Sequence, residues 1–130
     1  MDTAAPSLSP TELAALLRGA APPLLLDVRR PQRFAESEWL LPGAVYCAPA
    51  DVAAFARSRP PAEVVVYCVH GHEVSQEAAR TLREAGWKAR WLQGGIDGPE
   101  PGVDEAASVA AWQAAPPPRV RKAAQSGTAS

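Results

Sequence analysis

The run of residues 64–67 constrains the fold of this chain more than any other segment. Three valines and a tyrosine follow one another there, and none of these side chains needs water on either face. A strand of this composition is buried on both faces, as the central strand of a parallel sheet is. Residues 24–26 are three leucines and predict a second buried strand. The two runs favour an open α/β sheet covered by helices.

Predicted helices alternate with these strands. Ser9, Pro10 and Glu12 form a capping box with proline at the first helical position, which predicts a helix that ends near Arg18. The other expected elements are short helices over 31–34 and 50–57, a small strand near 44–46, a helix over 74–85, a strand over 87–92 and a helix over 103–114. This order implies right-handed crossovers and one parallel sheet flanked by helices.

Composition bounds the domain organisation and the partners. The chain has 130 residues and a net charge of −1, so one domain is expected, with no nucleic-acid partner. We divide it into an N-terminal extension over 1–8, a folded domain over 9–115 and a tail over 116–130. The tail combines a proline run with cations and small polar residues, and we expect it to be disordered. The chain shows no signal peptide or apolar run that could span a bilayer, which predicts a cytoplasmic protein without a membrane partner.

Two cysteines, Cys47 and Cys68, are too few for a disulfide framework or a four-thiolate zinc site. Cys68 directly follows the buried strand, and ligands bind at the carboxyl ends of strands in open α/β sheets. Loop amides around Gly71, with a helix N-terminus behind them, form a nest that favours an anion and favours thiolate over thiol. Cys68 is therefore the candidate nucleophile. Cys47 is interpreted as structural, with a resolving thiol as the alternative.

The residues after Cys68 complete the candidate anion site. Substrate contacts are expected from Val69, His70, Gly71, His72, Glu73 and Val74. Histidine titrates near neutral pH, so either ring could bind an anion or donate a proton, and His70 is favoured. A metal site on Cys68, His70 and His72 lacks an evident fourth ligand. We therefore expect no metal and no cofactor.

The chain resembles the single-domain rhodaneses, a family of persulfide-forming sulfurtransferases. The resemblance covers about residues 9–98. It rests on Leu26-Asp27-Val28-Arg29 followed by Phe34, Pro42-Gly43-Ala44, Val65-Val66-Tyr67-Cys68 with Gly71 three residues later, Gly86-Trp87 and Leu92-Gln93-Gly94-Gly95. It implies the open parallel rhodanese-like sheet and a catalytic Cys68 that takes the outer sulfur of a donor such as thiosulfate and passes it to cyanide or a cellular thiol. The expected partners are thus a small sulfur-donor anion and a thiol acceptor, either a small molecule or a protein.

Of four aspartate and arginine positions near the end of the first predicted strand, the resemblance accounts for two. Asp27 and Arg29 match the family's Asp-x-Arg pair after the first strand, and we expect them to order the loops rather than to touch the substrate. Arg30 and Arg33 match no motif, and we expect them to be solvated. For the assembly we expect a monomer or a weak homodimer.

Other interpretations of the loop stay open. Counted from Cys68 to Val74, before a helix start at Ser75, it is one residue longer than the family's commonest loop. That length resembles the dual-specificity phosphatase and arsenate-reductase branch of the fold, whose loop closes with an arginine where this chain has Val74. The missing arginine and the negative Glu73 favour a non-catalytic binding or sensing module. The form Cys-x-x-Gly-His-Glu-Val-Ser also resembles rhodanese-like domains associated with chromate resistance, which suggests a role rather than a reaction.

Overall fold

The computed structural model describes residues 5–122. The strands are β1 (Ser7–Leu8), β2 (Leu24–Asp27), β3 (Trp39–Leu40), β4 (Val45–Tyr46), β5 (Glu63–Tyr67), β6 (Lys88–Leu92) and β7 (Val120–Arg121). The helices are α1 (Pro10–Leu17), α2 (Pro31–Glu36), α3 (Val52–Ser58), α4 (Glu73–Glu84) and α5 (Ala106–Ala114), and a 3-10 turn (Pro49–Asp51) precedes α3. Five strands form a parallel sheet in the order β1-β6-β5-β2-β4.

The apolar run over residues 64–67 lies in the central strand, β5, and all four side chains are fully buried. It pairs with β2 on one side and with β6 on the other. Successive side chains of a strand point to opposite faces, so Val66 packs with α3 and α4, whereas Val65 packs with Leu13 of α1. The predicted open parallel sheet flanked by helices is confirmed.

Both hydrogen bonds of the predicted capping box are present at the start of α1. The Ser9 hydroxyl accepts a hydrogen bond from the Glu12 backbone N–H at 3.1 Å, and the Glu12 carboxylate accepts one from the Ser9 backbone N–H at 2.8 Å. The helix ends at Leu17 with Arg18 as its C-cap. The other expected helices and strands are also present, and their ends lie within three residues of the predicted ones.

Two short strands lie in segments that the sequence analysis placed outside the folded domain. Residues 7–8, assigned to an extension, form the edge strand β1 beside β6. The prediction of disorder is wrong for residues 120–122, because β7 pairs antiparallel with β3 and the Lys122 N–H donates to the Glu38 carbonyl at 2.6 Å. The guanidinium groups of Arg119 and Arg121 stack on the Trp39 ring and hold this pairing. Residues 123–130 lie outside the described part, and the domain bounds 9–115 stay a prediction.

The helices of residues 5–122 are all too short or too polar to cross a membrane.

Candidate functional site

Cys68 follows β5 and is buried, with 5% of its surface exposed. Its carbonyl accepts a hydrogen bond from the Ile96 N–H at 3.0 Å, and the Val69 carbonyl accepts one from the Asp97 N–H at 2.9 Å. Gly95 allows this approach, because a Cβ at its position would lie 2.3 Å from the Cys68 carbonyl oxygen. The start of the loop is thus tied to the segment that follows β6.

The loop then turns sharply at Gly71 and enters α4. Gly71 has φ +77°, and a Cβ there would lie 2.6 Å from the Gly94 nitrogen. The helix begins at Glu73, with His72 as N-cap, so the prediction of a helix start at Ser75 is wrong. A glutamate in the first turn interacts favourably with the helix dipole, which explains the earlier start. The loop proper therefore spans only residues 68–72.

The backbone N–H groups of the loop and of the first turn of α4 have no backbone partner in the described part of the chain. Within residues 5–122, the N–H groups of residues 69–75 donate to no backbone carbonyl. The carbonyls of Cys68 and Val69 face the opposite way, toward residues 96–97. Successive amides arranged in this way, at the positive end of a helix, suit a bound anion.

Ser75 contacts the sulfur directly, and sequence reasoning missed it. Its side chain is fully buried, its hydroxyl oxygen lies 3.2 Å from the Cys68 Sγ, and its hydroxyl donates to the His72 carbonyl at 3.3 Å. A hydroxyl can also donate, so it can stabilise a thiolate when the thiol proton is lost. The signal that could have found Ser75 is its place as third residue of α4, under the end of β5.

Cys68 lines a small cavity of about 110 Å³. The other lining residues are Arg29, Arg30, Arg33, Val69, His70, His72 and Val74. Of the loop residues predicted to contact substrate, Gly71 and Glu73 do not line it. Glu73 is exposed, so the negative charge that the sequence placed beside the anion site lies outside this cavity.

Arg30 and Arg33, which we expected to be solvated, also line the cavity. Both residues are exposed to solvent. They reach the sulfur site because α2 starts only four residues after the end of β2, and β2 pairs directly with β5. The carboxyl ends of neighbouring parallel strands meet at one edge, where their following segments come together.

Asp27 and Arg29 form a buried ion pair beside the cavity. Arg29 Nη2 lies 2.6 Å from the Asp27 Oδ2 and also donates to the Trp39 carbonyl at 2.9 Å. Burial opposes the charge of Arg29, but the hydrogen bond and charge of Asp27 outweigh it and raise the pKa of Arg29. The Tyr67 hydroxyl donates to Asp27 at 3.1 Å and accepts from the Leu41 N–H at 3.2 Å. The pair thus joins β2, β5 and the β3 segment.

The two histidines are held by the segment after β6. The His70 Nδ1 lies 2.8 Å from the Gly98 carbonyl oxygen, and the His72 Nε2 lies 2.8 Å from the Asp104 Oδ2. The backbone N–H of Glu100 donates to the same Asp104 oxygen at 2.6 Å. The Glu100 N–H first and the His72 ring second lower the pKa of Asp104. The other ring nitrogen of His72, Nδ1, lies 3.9 Å from the Glu100 Oε1, so this ring is held from both sides.

A second, larger cavity of about 480 Å³ lies on the other side of these histidines. Trp91, Gln93 and Gly94 line this cavity and not the one that holds Cys68. Trp112 of α5 closes it, and its indole N–H donates to the Gly95 carbonyl at 3.3 Å. Trp112 is thus the packing anchor of the C-terminal helix that the sequence predicted.

Cys47 lies apart from the cavity of Cys68. It is buried, and its Sγ lies 3.7 Å from the Ala48 carbonyl oxygen. Burial first, and the charge of Asp51 second, raise the pKa of Cys47. Within residues 5–122, no three His, Cys, Asp or Glu side chains are placed to hold a metal ion.

Comparison with known proteins gives the family. The model of the Rhodanese-like domain matches residues 9–99. A rhodanese homologue from Thermus thermophilus is 30% identical, with 70% of this chain and 96% of that chain covered and a TM-score of 0.56. No curated protein matches the sequence.

Two further solved structures share the fold. A thiosulfate sulfurtransferase from Pseudomonas aeruginosa is 22% identical, with a TM-score of 0.62, and the match covers 89% of this chain and 19% of that one. A yeast protein tyrosine phosphatase of the rhodanese family is 16% identical, with a TM-score of 0.56, and the match covers 72% and 82%. With a family match over more than half of its length, the chain belongs to the Rhodanese-like domain family.

Proposed function

We propose that this protein is a sulfurtransferase that moves a sulfane sulfur from a small anionic donor to a thiophilic acceptor through a persulfide on Cys68. The observation that carries the proposal is the placement of the Cys68 thiol. It lines a cavity of about 110 Å³ that Arg30 and Arg33 also line, and the N–H groups of the loop that follows it have no carbonyl partner among the described residues. A sulfur nucleophile and the donors for an anion thus share one small site.

The reaction has two displacement steps. The Cys68 thiolate attacks the outer sulfur of thiosulfate, a sulfur–sulfur bond forms, and sulfite leaves with the electron pair of the bond that breaks. The persulfide that results keeps one negative charge, which the amides of residues 69–75 and the Ser75 hydroxyl can stabilise. Cyanide or an acceptor thiolate then attacks the outer sulfur and releases the Cys68 thiolate.

The first test is the intact mass of the protein before and after thiosulfate, with cyanide as a chase. We expect a gain of one sulfur atom, about 32 Da, that cyanide removes. Cys68→Ser should abolish the gain, and Cys47→Ser should leave most of it because Cys47 lies outside the cavity. Equal losses in both variants would contradict the assignment. A Cys68 that reacts with neither donor nor alkylating agent would favour a binding or sensing module.

A second candidate is an oxyanion enzyme that acts on a phosphate ester or on arsenate. Arg30 and Arg33 favour it, because they bring guanidinium groups to a cavity whose loop has none. Turnover of a phenyl phosphate ester or of arsenate that Cys68→Ser abolishes would support this candidate. Sulfur loading without such turnover would exclude it.

A further inference from the structure

We propose that Arg30 determines which donors reach Cys68, by holding a small dianion against the loop amides. The inference deepens the proposed function, on which its meaning for sulfur transfer rests, and it names the substrate class as a compact tetrahedral oxyanion with two negative charges. Arg30 would be a binding residue for that anion on the wall opposite the loop.

The first step is the inventory of positive charge around the sulfur. Residues 69–75 contain no lysine or arginine. Arg29 lines the cavity, but its guanidinium is bound to Asp27 at 2.6 Å. An ion pair of this kind leaves little net charge for a ligand. Besides His70 and His72, the side chains of this cavity that can bring positive charge to a dianion are therefore Arg30 and Arg33.

The second step separates these two arginines. Arg33 also lines a neighbouring cavity that Glu36, Glu38 and Asp97 share, so carboxylates surround it on that side. Arg30 instead shares both of its cavities with Val74, at the start of α4, and Glu77 is the one acidic side chain among their lining residues. Within residues 5–122, neither Arg30 nor Arg33 forms a salt bridge with a carboxylate, so the carboxylates around the neighbouring cavity are what distinguish Arg33. Nearby carboxylates thus compensate the charge of Arg30 less than the charge of Arg33.

The third step is the size of the cavity. A volume of about 110 Å³ corresponds to roughly four water molecules at about 30 Å³ each. A tetrahedral oxyanion such as thiosulfate or sulfate is small enough for this space. A site so small, with a guanidinium on one wall and amides on the other, favours charge over shape in its choice of ligand.

Protection of Cys68 from iodoacetamide tests the proposal without any sulfur transfer. Sulfate is the dianionic probe, methanesulfonate is the monoanionic one, and chloride keeps the ionic strength equal. Alkylation of Cys68 alone is followed by peptide mass mapping in the full chain. We expect half-protection of the unaltered protein at about tenfold less sulfate than methanesulfonate, because one added charge near a guanidinium strengthens binding by about that factor.

For half-protection of Cys68, Arg30→Gln should need about tenfold more sulfate than the unaltered protein and should no longer prefer sulfate over methanesulfonate. Arg30→Lys should recover part of this preference. Arg18→Gln is the matched control, since it removes the same charge from the C-cap of α1, away from every cavity described above. Equal protection of Arg30→Gln and the unaltered protein would overturn the inference, as would a lack of protection by sulfate. Sulfate protection that depends on Arg30, in a protein that gains no sulfur, would keep the anion site and reject sulfur transfer.

Discussion

At the scale of single residues, the segment beside Cys68 depends on one buried ion pair, Asp27 and Arg29, which water does not screen. Asp27 is fully buried, and Arg29 is 1% exposed. Burial of two charges is unfavourable unless each remaining hydrogen-bonding position finds a partner. The Arg29 guanidinium and the Tyr67 hydroxyl supply those partners for Asp27. The pair therefore holds the end of β2 in a fixed position beside Cys68.

Asp27→Asn should destabilise the protein by about 3–5 kcal/mol, because it leaves the Arg29 guanidinium buried without a counter-charge. The free energy of unfolding in urea at neutral pH measures the effect. Tyr67→Phe is the comparison, and its loss of two buried hydrogen bonds should cost about 2 kcal/mol. A smaller loss in Asp27→Asn than in Tyr67→Phe would show that the ion pair does not hold the structure.

At the scale of elements, the loop between β5 and α4 depends on the backbone of the turn after β6. The Cys68 and Val69 carbonyls accept from the turn, so the amides that follow can face the anion site. Gly95, at φ +59°, is the point of closest approach. The segment after β5 and the turn after β6 thus pack backbone against backbone, with no side chain between them.

Gly95→Ala should slow sulfur loading of Cys68 by about 100-fold, because displacement of reacting atoms by about 1 Å has effects of that size. Gly43→Ala is the control: Gly43 has φ +78°, and a Cβ there meets nothing within 4 Å. It should carry the cost of a left-handed alanine, about 1–2 kcal/mol, and load sulfur at the normal rate. Equal loading rates in the two variants would count against the role assigned to the turn.

At the scale of the whole molecule, residues 98–104 connect the sulfur loop to α5. His70 contacts the Gly98 carbonyl, and His72 contacts Asp104, which also caps the Glu100 N–H. The lowered pKa of Asp104 has a consequence for stability. The contribution of this carboxylate is complete above the ordinary pKa of about 3.9 and is lost as the pH falls through the lower value of the folded state.

Asp104→Asn should therefore lose stability at neutral pH and show a smaller further loss on acidification below about pH 4 than the unaltered protein. Urea unfolding at pH 7, 5 and 3 gives the comparison. The two proteins should become more alike as the pH falls, because protonation removes from Asp104 the charge that the Asn amide never carries. A difference in the free energy of unfolding between the two proteins that stays constant from pH 7 to pH 3 would contradict this role of the Asp104 charge.

Local chemistry explains what could be predicted. The apolar runs of β2 and β5, the capping box of α1 and the position of Cys68 after β5 each depend on a few adjacent residues. The start of α4 was placed two residues late because the helix dipole favours Glu73 inside the first turn. The β7 strand was missed because its pairing edge, β3, lies about 80 residues earlier in the chain.

By itself the sequence determined the parallel sheet, the order of its elements and the cysteine at the end of the central strand, because burial on both faces and helix capping are local properties. The tertiary structure alone decided which groups surround that cysteine. Arg30 and Ser75 come to this site from different elements, and Glu73 is exposed outside the cavity. The reason is geometric: parallel strands gather their carboxyl ends at one edge, and distant segments that follow them become the walls of one site.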